Sequence, residues 1–128
     1  MVGIAKILIV EDNKNIQDIY ALMLEEQGYE ITQAFNIKHA FDVLKKEKVD
    51  LIILDMILPQ ATPQDTCEIF LKGVKENPAY KKIPVLAVTV VNHDLEKQLK
   101  RIDSRIGYIR KPFSRKKLVS EIERLLKP

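Results

Sequence analysis

The chain has 128 residues, 46% hydrophobic and 30% charged, with a net charge of +3. That length suits one domain, residues 1–128, with a core burying roughly two-thirds of the unfolded surface. The single cysteine, Cys67, excludes an internal disulfide, and no apolar run approaches a membrane span, so a soluble cytoplasmic protein is the default expectation.

The chain alternates two kinds of segment. Lys6–Val10 (KILIV) is a short β-branched run, too short for a helix and apolar enough for a buried parallel strand. Lys14 to Gln27 follows, with Ile16, Ile19, Tyr20, Met23 and Leu24 at helical spacing and Gly28 at a C-cap position. Tyr29–Ala34 reads as a second strand, and Ile37 to Lys46 as a second helix through Ala40, Phe41 and Leu44. Val49–Leu54 is a third, continuously apolar strand. Asp65 to Glu76 predicts a helix with Cys67, Ile69, Phe70 and Val74 inward, although Gly73 weakens it by about 1 kcal/mol relative to alanine. Pro84–Val88 is the fourth strand, Asp94 to Ile102 a short charged helix, and Gly107–Arg110 the fifth strand. Ser114 caps a last helix running to Leu126. Five strands alternating with five helices predict an α/β fold whose parallel sheet is covered on both faces. Ligands of such sheets bind beyond the carboxyl ends of the strands, where strand order reverses.

That rule directs attention to LIILDMILP, residues 51–59, where one carboxylate interrupts an apolar run. Asp55 follows the third strand, and Glu11-Asp12 follow the first. If those strands are neighbours, three carboxylates converge on one rim. Two carboxylates roughly 5 Å apart repel by about 3 kcal/mol at an effective dielectric near 20. Such a cluster needs a cation, a proton or strong hydrogen bonding, and hard oxygen donors suit magnesium. Thr89, ending PVLAVT, adds a hydroxyl, and Lys111, before Pro112, an ammonium. Carboxylates, a metal, a hydroxyl and an ammonium together are chemistry for handling a phosphoryl group, with a carboxylate as candidate nucleophile.

ILIVEDN, LIILDMILP, AVT and YIRKPF, in that order, resemble the receiver domain of two-component response regulators, over about Lys6 to Leu126. The resemblance implies a doubly wound, flavodoxin-like sheet in the order 2-1-3-4-5. It implies that Asp55 accepts phosphate from a histidine kinase or phosphotransfer protein. Glu11 and Asp12 match the acidic pair holding Mg2+, with the Asp55 carboxylate and the backbone carbonyl of Ile57 completing the protein ligands. Thr89 matches the switch hydroxyl, Lys111 the lysine that pairs with the phosphoryl charge, and Tyr108 the aromatic that changes rotamer on activation. The surface of the fourth helix, fifth strand and fifth helix (α4-β5-α5) is then the one that switches. The role implied is a phosphoprotein of signal transduction rather than a turnover enzyme, with no direct nucleic-acid binding and no membrane contact.

The pattern is broken in places. Val90 stands where most receivers have a small residue, SRIGY replaces a stretch usually close to GADDY and so brings in Arg105, and QATPQ carries Pro63 in place of the usual glycine. Val90 and Arg105 favour the alternative, a receiver-like binding module that does not use phosphorylation. A phosphatase of the haloacid dehalogenase type wants a second aspartate where this chain has Ile57, and no glycine-rich loop follows the first strand to hold a nucleotide. Asp12 by itself also reads as an N-cap of the first helix. Cys67 reads as a small core hydrophobe, and His39 and His93 have no partner at metal spacing. From Lys97 to Lys117 there are nine basic residues against one acid, Asp103. That asymmetry predicts an acidic downstream partner on this face rather than a symmetric dimer through it.

Overall fold

In the computed structural model, which describes residues 4–55, 67–89, 97, 100, 101 and 106–127, the apolar runs lie side by side. Strands β1 (Lys6–Val10), β2 (Glu30–Ala34), β3 (Leu51–Asp55), β4 (Val85–Thr89) and β5 (Gly107–Arg110) form one sheet, every pair parallel, in the order β2-β1-β3-β4-β5. Helices α1 (Lys14–Glu25), α2 (Ile37–Lys46) and α3 (Cys67–Glu76) and a C-terminal helix (Arg115–Leu126) cover it. The predicted helix at Asp94 to Ile102 is represented by Lys97, Lys100 and Arg101, which are helical; the rest of it lies outside the described residues.

The central strands carry apolar residues on both faces because helices lie on both. Leu8, Val10, Ile52, Leu54, Val85 and Ala87 face the apolar stripes of α2 and α3, built on Val43, Leu44, Phe70, Leu71 and Val74. The alternate residues, Ile7, Ile9, Leu51, Ile53, Leu86 and Val88, face Tyr20 and Leu24 of α1 and Leu118 and Ile122 of the C-terminal helix. Each fully buried Ile or Leu here contributes roughly 1.5–3 kcal/mol of transfer free energy. The two-residue alternation fixes register, since a slip by one residue would exchange the two sets of partners.

Helix starts are set locally. Asn13, Asn36 and Ser114 each accept a hydrogen bond from the backbone N–H three residues on, at 3.0, 2.7 and 3.1 Å. Asn13, not Asp12, therefore caps α1, which leaves Asp12 available for the rim. Gly28, at φ +90°, ends the turn after α1 in the left-handed region that favours glycine. Gly73 has a tertiary contact: a Cβ there would stand 3.0 Å from the ring of Phe41 in α2, so alanine would require that ring to shift by a few tenths of an ångström.

Several expectations are corrected: β2, β3 and β4 begin at Glu30, Leu51 and Val85 rather than Tyr29, Val49 and Pro84, and β4 ends at Thr89 rather than Val88. Helix α1 ends at Glu25 rather than Gln27, and Asp55 is the last residue of β3 rather than the one after it. Ile19 and Ile69, expected inward, are 58% and 46% exposed. In α1 the buried stripe is Gln17, Tyr20 and Leu24, spaced i, i+3, i+7, and Ile19 lies about 100° around the helix from Tyr20.

Candidate functional site

The order of the strands decides which loops meet. β1 and β3 are neighbours in register Val10↔Leu54, so Glu11 and Asp55 stand side by side at the strand tips, where the order of the sheet reverses. On the other side Asp55 is paired with Val88, and Val88 with Ile109, so Thr89 lies one residue and Lys111 two residues beyond the positions in register with Asp55. The Lys111-Pro112 bond is cis. Lys111 Nζ donates to Asp55 Oδ2 at 2.7 Å.

The two carboxylates are unlike the rest of the surface acids. Glu11 is 2% exposed and Asp55 3%. Glu11 Oε1 accepts the Asn13 N–H at 3.3 Å, while Glu11 Oε2 is buried without a hydrogen-bond donor among the described residues. Burial is the largest cause pushing the Glu11 carboxyl up to about 8. Next come a hydrogen bond with the Asp55 carboxyl, which requires a proton on one of the two, and the charge of Asp55; the Asn13 N–H and the Lys111 ammonium oppose them. The same negative field reaches Tyr20 under the rim, whose hydroxyl is held above the usual tyrosine range by burial first and then by Asp55 and Glu11. Tyr20 in turn stacks on Phe113, with ring centroids 6.1 Å apart.

The structure thus brings together Glu11, Asp55 and Lys111. Asp12 lies half-buried in the same loop, and Tyr108 is half-buried against the core face formed by α2 and α3. Ile57, Val90, His93, Asp103 and Arg105 lie outside the described residues. Among the described residues no three His, Cys, Asp or Glu side chains are drawn together tightly enough to hold a metal ion unaided. Magnesium does not require that, since it commonly keeps several waters and takes one or two carboxylates. The donor set here is all hard oxygen, and a cation beside the buried Glu11 and Asp55 carboxyls would replace the proton they share, so the residues present fit the ion.

Apolar spacing passed over one residue of this region. Gln17 is fully buried beneath the β1–α1 loop and reaches main-chain carbonyls there. Its signal was available: a polar residue in phase with Tyr20 and Leu24 on the buried stripe of α1. Among the described residues no helix is long and apolar enough to cross a membrane.

Comparison with known proteins agrees with this geometry. The family model described as the response regulator receiver domain matches residues 7–123. The chemotaxis response regulator CheY4 of Vibrio cholerae is similar at 30% identity, with a TM-score of 0.84, over 97% of this chain and all of that one. A putative response regulator from Chloroflexus aurantiacus is 25% identical with a TM-score of 0.87, over 97% of this chain and 98% of that one. The response regulator TrrA from Thermotoga maritima, solved in complex with magnesium and BeF, shares the fold at 24% identity and a TM-score of 0.81, over 96% of this chain and all of that one. With its strand order, its paired strand tips and its family match over nearly its whole length, the chain belongs to the response regulator receiver domains, signalling domains of two-component systems.

Proposed function

We propose that this chain is a phosphoacceptor, a single receiver domain over residues 1–128 that takes a phosphoryl group from a histidine kinase or phosphotransfer protein onto Asp55. The observation that carries the reading is the Lys111 ammonium 2.7 Å from a nearly buried Asp55 carboxylate, beside a second buried carboxylate, Glu11. A carboxylate held this way is positioned as a nucleophile. An Asp55 oxygen attacks the phosphorus of a phosphoimidazole; the new P–O bond forms as the P–N bond breaks, and the imidazole leaves with its electron pair. Lys111, already at Asp55, then follows the negative charge onto the phosphoryl oxygens.

Glu11, Asp12, the Asp55 carboxylate and the Ile57 carbonyl would hold Mg2+. When bound, it supplies positive charge that offsets both the repulsion between carboxylates and the charge of the phosphoryl oxygens. TrrA, in complex with magnesium and BeF, supports the ion by analogy of fold.

Phosphorylation adds nearly two negative charges at the rim. Thr89 bonds the phosphoryl group, Tyr108 turns inward, and the population shifts toward a form with a different surface around β5 and the C-terminal helix. That surface carries exposed Lys97, Lys100, Arg101, Arg110, Lys116 and Lys117, which suits an acidic protein partner. The domain works in the cytoplasm without turnover of a substrate and without contacting nucleic acid or membrane directly.

Incubation of the native chain with acetyl phosphate and magnesium, read by intact mass, tests the assignment. A gain of one phosphoryl group that disappears in Asp55→Asn is expected. No gain in the native chain, or a gain that survives Asp55→Asn, overturns it in favour of a binding module that does not use phosphorylation.

A further inference from the structure

We propose that Gln17 is the positioning residue for the acidic pair, locking the loop that carries Glu11 and Asp12 to the ends of β1 and β2. The inference rests on the metal-binding role proposed above. Gln17 has no solvent exposure and sits in the first turns of α1, in phase with the buried stripe. Its side-chain amide Nε2 lies 2.8 Å from the carbonyl oxygen of Ile9, 3.1 Å from that of Glu11 and 2.8 Å from that of Ala34. One amide nitrogen therefore joins β1, the rim loop and the last residue of β2.

The Glu11 peptide is held from both sides. Its N–H donates to the Ala34 carbonyl at 3.0 Å, and its own carbonyl accepts from Gln17. The next direct contact, from the Asn13 N–H to Glu11 Oε1, orients the carboxylate from within the same loop. The loop is fixed at the residue that would have to present an oxygen to the ion.

An apolar residue here would avoid burying an amide but would take this donor from three main-chain carbonyls. Gln17 has two N–H groups for three carbonyls, and its own Oε1 is buried with no partner among the described residues. A buried amide oxygen left unpaired is unfavourable, so the three donor contacts are made at a cost. The arrangement is explained if the donor itself is what the site requires. The role is then that of an outer-shell hydrogen bond, whose loss typically weakens metal binding by about 10–100-fold.

The experiment measures magnesium binding to the 128-residue chain by isothermal titration calorimetry, with a thermal melt in EDTA, for wild type, Gln17→Met and Val43→Ala. Methionine matches glutamine in length and lacks its donors. Val43 belongs to the core on the opposite face of the sheet and serves as a destabilised control. Gln17→Met is expected to bind magnesium at least about tenfold more weakly, while Val43→Ala melts earlier and keeps wild-type affinity. A smaller loss in folded Gln17→Met overturns the inference, as does an equal loss in Val43→Ala. Should Gln17→Met not fold, Gln17→Asn decides: it keeps the amide one methylene short of the carbonyls, so weakened binding supports the role and wild-type binding overturns it. Wild type that takes no magnesium overturns the metal reading itself and this inference with it, whereas a wild-type response unchanged in Gln17→Met overturns only the inference.

Discussion

The two ends of the sheet treat charge in opposite ways. At the N-terminal ends of the strands, Lys6 Nζ donates to Glu47 at 3.0 Å and lies 3.8 Å from Glu30, the Lys6 N–H donates to Asp50 at 2.8 Å, and Thr32 donates to Glu47 at 3.2 Å. The Lys6 hydrogen bond is the largest cause holding the Glu47 carboxyl below its ordinary range. At the C-terminal ends, Glu11 and Asp55 are buried together, Lys111 is the cation that reaches Asp55, and Glu11 is pushed upward. At the first end ionisation of Glu47 stabilises the fold; at the second, ionisation of Glu11 works against it. A charge arrangement that stability does not favour is concentrated at the rim where Asp55 lies.

The largest expected effect is all-or-none. Asp55→Asn abolishes phosphoryl uptake from acetyl phosphate, whereas Glu47→Gln at the opposite end leaves uptake unchanged; labelling that is equal in both variants breaks the contrast. Next, saturating magnesium raises the melting temperature of the wild-type chain, by about 2.7 kcal/mol of added stability at a hundredfold excess over Kd. The response in Glu11→Gln is expected to be much smaller.

Third comes the pH dependence of the metal-free chain. Glu11 has its ordinary value of 4.5 when unfolded and about 8 when folded, so between those values the folded state binds more protons than the unfolded one. Stability in EDTA therefore falls as pH rises from about 5 to 8. Glu11→Gln removes that fall and leaves the chain more stable than wild type at pH 8, by roughly 1–3 kcal/mol. Denaturant titrations across this range that show no difference between the two would place the strain elsewhere. The smallest effect has the opposite sign. Glu47 is lowered on folding, so its contribution is fully present above about 4.5 and is lost as pH falls through its folded value. Because Lys6 and Glu47 are partly solvated, Glu47→Gln shifts the melt only slightly at neutral pH, in line with exposed ion pairs generally.

The sequence by itself determined most of the elements and the candidate reacting groups. KILIV, LIIL and VLAV are short and continuously apolar, as strands buried on both faces are, and Ser114 starts its helix through a contact three residues away. Local rules of this kind act within one turn or one pleat and are legible in a linear string. Asp55, with an acid pair after the first strand and Lys111 before a proline, was legible as chemistry because a lone buried carboxylate demands a reason. Only the tertiary structure decided that β1 lies between β2 and β3, bringing Glu11 against Asp55 and Lys111 onto Asp55, residues 44 and 56 positions apart in the chain. It also turned Ile19 outward and Gln17 inward, because which part of an amphipathic helix is covered depends on where the sheet and its neighbours lie. Spacing tells which residues share a helical face; three-dimensional packing sets where the buried stripe begins and ends.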